Sequence, residues 1–360
     1  MPRTSQLKRG ILAIIAVAGL LLTAGPAQAA PKYQWKLAMT WGTGFPIFGD
    51  AVQKMADLVK AMSNDEMEIR IDSANKHKSA FGILDMVKAG QYEMGHSASY
   101  YWKGKDVSTM TFTTMPFGMI APEQFAWFYY GGGKELMKEV YGKHGVYAFP
   151  GGNTGNQMGG WFKKEMKTLD DFKGLKMRIP GFAGEVVAKL GVVVTNIAPG
   201  ELYTALDRGT IDALEWVGPS LDLKMGFQKI SDYYYTGWHE PATELQFMVN
   251  KAKFDALPPH LQAILTTAME LAAYDMYARS YHESALGLAS LAKEFPNVKV
   301  RTFSPQIIAA LKKANDELIK ADMAKDPMFK KIMESQAAYL KTARRWTEIS
   351  DYDYLKDNME

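Results

Sequence analysis

LYTALDRGTIDALEW, residues 202–216, reads as a short helix, a glycine stop, an acid three places on, and a strand ending in an acid–tryptophan pair. The glycine falls just past the helix, where a left-handed backbone is wanted. ILDMVKAGQYEMGHS, residues 83–97, has the same layout, and aligning Gly90 with Gly209 sets His96-Ser97 opposite Glu215-Trp216. By itself the match is met equally by a duplication and by two independent αβ units. As a duplication it gives two similar lobes whose strand ends face one cleft, where open α/β sheets bind ligands.

The chain around these units keeps the α/β pattern. Residues 33–40 read as a first strand and WGTGFP (41–46) as a turn. Residues 48–63 carry Phe48, Val52, Met55, Val59 and Met62 at helical spacing, residues 67–73 alternate as a second strand, and 81–89 form a helix stopped by Gly90. A strand over 146–150 leads into GGNTGNQMGGWF (151–162), a crossover needing positive-φ glycines. Pro258-Pro259 starts a helix that runs to Phe295, long enough to cross a lobe or bridge two. Ser304-Pro305 are N-cap and N1 of another helix with Ile308, Leu311, Asn315 and Leu318 along one side, and 330–347 continue helical.

Composition narrows the function classes. Arg3, Lys8 and Arg9, the apolar run 11–22 and Ala27-Gln28-Ala29 read as an export signal over residues 1–29, cleaved before Ala30. That segment holds three of the 42 basic residues and none of the 39 acidic ones, which leaves 39 of each. Without a charge excess or a basic run there is no electrostatic footprint for nucleic acid or an anionic membrane. With no cysteine, disulfides, thiolate chemistry and a lipid-modified cysteine are all excluded. A free exported protein held near its cell fits the periplasm, and about 330 residues fit two domains around a cleft.

GLKMRIPG, residues 174–181, places Arg178 at the end of an apolar strand, and Glu215 follows inside IDALEWVGP. A guanidinium meets a carboxylate as a planar fork, whereas a buried Glu without a cation is costly to keep charged. Taken singly, Arg178 is also consistent with a surface ion pair and Glu215 with a solvated acid. Gln157, in the glycine-rich crossover, offers an amide oxygen suited to a hard cation. GHSAS (95–99) is one glycine short of a G-x-S-x-G elbow, and the six histidines form no H-x-x-x-H, which argues against a serine hydrolase and a zinc enzyme.

At GNQMGGWF (155–162), GLKMRIPG, ELYTALDRGTIDALEWVGP (201–219) and GWHE (237–240) the chain resembles the extracytoplasmic solute-binding proteins of tripartite ATP-independent periplasmic (TRAP) transporters. The similarity spans essentially everything after the export signal. Within that family it is similar to the branch that binds 2-oxo acids and lactate with a sodium or calcium ion. The resemblance implies an α/β two-lobed Venus-flytrap fold with a long bridging helix and an extended C-terminal helix. Lobe I would comprise residues 30–152 and about 247–303, lobe II 153–246, and a helical region 304–360 would serve dimerisation.

It further implies that Arg178 clamps the ligand carboxylate, that Gln157, Glu215, Glu240 and the Trp216 backbone carbonyl hold the ion, and that Gln157 and Tyr100 touch the ligand. His239 is then a supporting or structural residue, and Phe182, Trp161 and Trp238 limit the ligand's alkyl end. The expected partners are a small organic acid, the TRAP membrane subunits and a second copy of the chain; no enzymatic activity is implied. A dicarboxylate, sugar acid or aromatic acid is the alternative cargo. Pyruvate has six heavy atoms, so a ceiling of about −1.5 kcal/mol per atom limits binding to about −9 kcal/mol, barely past micromolar. Micromolar capture therefore requires nearly every atom to be used, which chelation of a cation by a carboxylate oxygen and the neighbouring 2-oxygen supplies.

Overall fold

The computed structural model describes residues 30–359; the export signal expected over 1–29 lies outside the described residues. Two sheets organise the chain. The first holds β1 (Tyr33–Met39), β2 (Met67–Asp72), β3 (Met94–Ser97), β4 (Val146–Asn153) and β10 (Glu244–Asn250), in the order β2-β1-β3-β10-β4. The second holds β5 (Gly160–Phe162), β6 (Lys176–Arg178), β7 (Val193–Thr195), β8 (Ala213–Leu214), β9 (Tyr233–Tyr235) and β11 (Lys299–Arg301), in the order β11-β9-β5-β8-β6-β7. β1 lies parallel to β2 and β3, and β6 parallel to β7 and β8, so helices must cross between them.

The two αβ units match locally. Helix Ile83–Lys88 and helix Leu202–Asp207 are each followed by a glycine with positive φ, Gly90 at 70° and Gly209 at 72°, and then by β3 and β8. β3 leads directly into the segment Ser99–Trp102 that carries Tyr100, and β8 leads directly into Glu215.

The chain passes between the sheets after β4 and again before β10. At the first passage Gly152 has φ 130°, and a Cβ there would sit 2.1 Å from Met276 Sδ of the long helix, so only glycine fits. That helix runs Pro259–Glu294, as the prolines predict, and buries Leu261, Leu265, Ala268, Met269, Ala272 and Met276. It bridges both lobes: Asp275 and Arg279 pair with Lys54 and Asp50 of helix Phe48–Met62, while Glu283 pairs with Lys224 of helix Pro219–Met225.

The sequence reading differs from the structure at one strand. Residues 247–303 were expected to stay with the first lobe, yet β11 pairs in parallel with β9 of the second sheet. The reason is packing: Phe303 stacks on Tyr235 at 4.4 Å and meets Phe162 and Phe172 at 6.0 and 6.1 Å. Beyond it Ser304 caps helix Pro305–Lys325, and Asp326 caps helix Pro327–Thr347 by accepting from Met328 and Phe329 N–H at 2.8 and 2.9 Å. This last helix is anchored to the first lobe by Arg344, which grips Glu123 with two bonds of 2.8 and 2.9 Å. No helix among the described residues is long and apolar enough to cross a membrane.

Candidate ligand site between the lobes

The register of the second sheet assembles the site. β6 and β8 are parallel with Arg178 opposite Leu214, so Glu215 emerges beside Arg178 and its N–H donates to the Arg178 carbonyl at 3.1 Å. Both side chains are buried, each 1% exposed. Arg178 Nη1 donates to the Glu215 carboxylate and, at 2.9 Å, to the Glu215 backbone oxygen; Nε donates to the Ile197 carbonyl at 3.3 Å. The guanidinium lies 5.4 Å from the Trp216 ring.

Two irregular segments complete the cluster. Gln157 N–H donates to the Glu240 backbone oxygen at 2.9 Å, which draws the first crossover against GWHE. His239 Nε2 sits 3.2 Å from Glu215 Oε2, and Thr243 donates to Glu240 Oε2. Gln157 Nε2 donates to Thr154 Oγ1 at 3.1 Å, which turns its amide oxygen the other way. Ligating atoms of Glu215, His239 and Glu240 all lie within 4.8 Å of one another.

Several buried polar atoms here have no hydrogen-bond partner: Arg178 Nη2, Gln157 Oε1, Glu240 Oε1, His239 Nδ1 and the Tyr101 hydroxyl. Buried groups left unpaired are rare and costly, and a group of them in one place marks a surface shaped for something else. The set combines an anion-binding donor with hard oxygen acceptors. Two carboxylates, an amide oxygen and a nearby backbone carbonyl make a donor set suited to calcium or sodium.

Electrostatics agree with that chemistry. Burial and then the charge of Glu215 push the Glu240 carboxyl up to about 7, so at neutral pH it holds a proton part of the time. Burial opposes charge on His239, but its bond to Glu215 and the nearby acids outweigh it and raise its pKa above the ordinary range. Burial likewise works against the Arg178 charge, and Glu215 more than restores it. Burial raises the hydroxyl of Tyr100 well above its usual value and that of Tyr101 to about 12, so both stay neutral donors.

Of the residues expected to hold the ion and ligand, Arg178, Glu215, Trp216, Gln157 and Glu240 come together by the contacts above, and Tyr100 is buried against Gly181, three residues beyond Arg178, with its ring 4.8 Å from that of Tyr101. Trp161, expected as a wall for the ligand, instead donates to Asp222 at 2.9 Å and stacks on Tyr234 at 4.0 Å. Trp238 packs on Phe117 at 5.7 Å, and Phe182 on Phe329 at 6.4 Å. Sequence reasoning set His239 aside and passed over Tyr101, although GWHE and SYYW place them beside Glu240 and Tyr100. The GHSAS stretch is no nucleophile elbow: Ser97 is buried against Thr40 at 2.5 Å. Its neighbour His96 is committed to Trp41 and the Gly151 carbonyl, and burial lowers its pKa to about 4.

The first lobe closes over this cluster. Phe45 and Phe48 meet the Trp216 ring at 5.9 and 6.4 Å, and Lys103 donates to the Gly181 carbonyl at 2.9 Å and to Glu185 at 2.6 Å.

Comparison with known proteins places these features in a family. A TRAP periplasmic solute-binding protein from Colwellia psychrerythraea, solved with bound calcium and pyruvate, is 66% identical, with a TM-score of 0.89 over 90% of this chain and 99% of that one. A second, from Pseudoalteromonas atlantica T6c with bound sodium and pyruvate, is 64% identical with a TM-score of 0.89 over 91% and 99%. The monocarboxylate 2-oxoacid-binding periplasmic protein of Nostoc sp. is 37% identical across 92% of this chain and 91% of its own. The profile of bacterial extracellular solute-binding protein family 7 matches residues 37–326. With its two-lobed α/β fold and buried acid–arginine cluster, the chain belongs to that family, the solute-binding proteins of TRAP transporters.

Proposed function

We propose that this protein captures a 2-oxo or 2-hydroxy monocarboxylate of pyruvate size together with a calcium or sodium ion, in the periplasm, and presents it to TRAP membrane subunits. The observation that carries the reading is the unpaired Arg178 Nη2 in the same buried cluster as the unpaired oxygens of Gln157 and Glu240. Arg178 takes one side of the ligand carboxylate. Gln157, Glu215, Glu240 and the Trp216 carbonyl hold the ion, and the ion binds the carboxylate and the adjacent 2-oxygen. Tyr100 and Tyr101 supply neutral hydroxyls to the same ligand. Pyruvate is the cargo of both the Colwellia and the Pseudoalteromonas proteins, which supports this choice over a dicarboxylate, a sugar acid or an aromatic acid. The chain's role is binding and delivery rather than turnover.

Selectivity tests the reading. Propionate matches pyruvate in carbon count but has no 2-oxygen, so it leaves one ion position and its charge-assisted contact unfilled. A lost hydrogen bond to a charged group is worth about 1.5–3 kcal/mol, a factor of about 10–100. Calorimetry with calcium present should show pyruvate and lactate bound and propionate weaker by that factor; equal binding of propionate refutes the chelate.

The same reading includes a homodimer. Trp346, Tyr352 and Tyr354 are 68%, 61% and 67% exposed, and Tyr274 and Tyr281 of the bridging helix 67% and 71%. Exposed aromatic surface on both the C-terminal helical region and the bridging helix fits a second copy. Light scattering at micromolar concentration should give twice the monomer mass, and Trp346→Glu should return it to the monomer. A monomeric wild type overturns the dimer.

A further inference from the structure

Helix Pro219–Met225 carries an acid that the proposed ion and ligand contacts leave unused. Asp222 is 1% exposed. Its Oδ1 accepts from the backbone N–H of Val217 at 3.0 Å and of Gly218 at 2.9 Å. Its Oδ2 accepts from Trp161 Nε1 at 2.9 Å and from the Tyr234 hydroxyl at 2.8 Å. A carboxylate offers about four acceptor positions, and these four bonds take all of them. Trp161 and Tyr234 are opposite partners on β5 and β9, so the acid is anchored to the second sheet as well as to its own helix.

Peptide planarity gives this arrangement a consequence for the site. The Val217 N–H and the Trp216 carbonyl belong to one peptide unit, and in a trans unit they point in opposite directions. By holding the N–H, Asp222 aims the Trp216 oxygen away from itself. The units on either side are tied as well: the Glu215 carbonyl accepts from Arg178 Nη1 at 2.9 Å, and the Val217 carbonyl accepts from Met158 N–H at 2.8 Å. The Trp216–Val217 unit cannot rotate without breaking its bond to Asp222. A carboxylate on the N–H also increases the negative charge on the carbonyl oxygen, as outer hydrogen-bond partners do for other metal ligands.

We propose that Asp222 is a positioning residue for the ion, acting through the Trp216–Val217 peptide: it orients the Trp216 carbonyl and strengthens it as a ligand. This rests on the reading of that carbonyl as an ion ligand. Outer-partner substitutions at metal sites cost about 10–100-fold in affinity. Calcium affinity in saturating pyruvate, measured by calorimetry on the full chain, should therefore fall about 10–100-fold in Asp222→Ala. Asp222→Asn keeps an oxygen for the Val217 and Gly218 N–H groups but loses the charge, and should fall less, by about three- to tenfold. Phe303→Leu, which loosens the second lobe away from Asp222, should lower the melting temperature yet leave calcium affinity within about twofold.

Calcium affinity within twofold of wild type in Asp222→Ala overturns the inference, as does an equal loss in Phe303→Leu. If Asp222→Ala does not fold, Asp222→Asn decides, and no change there is the overturning result. A wild-type protein whose pyruvate binding ignores calcium and sodium fails before any variant is made. That outcome removes the ion site itself and is distinct from a failure of Asp222.

Discussion

Arg178→Ala is expected to weaken pyruvate binding by about two to three orders of magnitude, which calorimetry reads as a shift from micromolar toward millimolar. Arg178 Nε and Nη1 are committed to Ile197 and Glu215, which leaves the buried Nη2 to meet a ligand carboxylate. Losing a hydrogen bond to a charged partner costs about 1.5–3 kcal/mol, and the ligand carboxylate also loses its counter-charge in a buried site. About 1.4 kcal/mol corresponds to each factor of ten, so the two losses together reach the stated range. The same substitution leaves Glu215 without its guanidinium, and breaking a buried pair costs about 3–5 kcal/mol against a typical total stability of about 5–15. The variant should stay folded by circular dichroism with a clearly lower melting temperature. Arg178→Lys should recover part of the affinity, because an ammonium restores charge but cannot reach Ile197, Glu215 and the ligand in one planar fork. Affinity of the alanine variant within threefold of wild type would remove Arg178 from the site.

What the sequence discloses follows from how local each feature is. Arg178 and Glu215 stand at the ends of strands whose bounding signals, Gly174, Pro180, Gly209 and Gly218, are adjacent to them, so their strand-end placement is readable without the fold. The bridging helix is likewise announced by Pro258-Pro259 and ends within a residue of expectation. Gln157 and Glu240 are different. They lie on irregular segments joined by one backbone bond between residues far apart in sequence, and no periodicity encodes such a meeting. Only the resemblance to a known family pairs them.

Three features resist sequence reading for three reasons. β11 is short and exposed at every residue, so it carries no alternation to mark it, and its place depends on Phe303 finding an aromatic pocket in the second lobe. Asp222 sits in LDLK, which reads as an ordinary solvated helix acid; its burial depends on Trp161 and Tyr234. His239 and Tyr101 are adjacent to Glu240 and Tyr100, but adjacency does not say which way a side chain turns. In each case the missing information is a long-range contact.

Removing the ion is expected to weaken pyruvate binding by about two to three orders of magnitude, with recovery on adding calcium or millimolar sodium. The test is calorimetry after dialysis into a sodium-free buffer containing EGTA. In the cluster Arg178 already balances Glu215, so it cannot also neutralise both an incoming carboxylate and an ionised Glu240; without the ion, a proton on Glu240 or His239 has to supply the missing positive charge. An uncompensated buried charge costs about 3–5 kcal/mol, which sets the size of the loss. Without the ion, a proton on Glu240 is the partial substitute, since burial and Glu215 push that carboxyl up to about 7. Ion and proton therefore compete. Calcium affinity should fall as the pH drops through the range near 7 in which Glu240 takes up a proton, by up to about tenfold per pH unit, because each ion bound there displaces a proton. Glu240→Gln fixes the neutral state permanently, and its pyruvate binding should respond weakly to calcium and lose this pH dependence. If the ion-free protein binds pyruvate within threefold of the calcium-loaded one at pH 7.5, Glu240 serves the ligand as a protonated hydrogen-bond donor and the cluster is not a cation site.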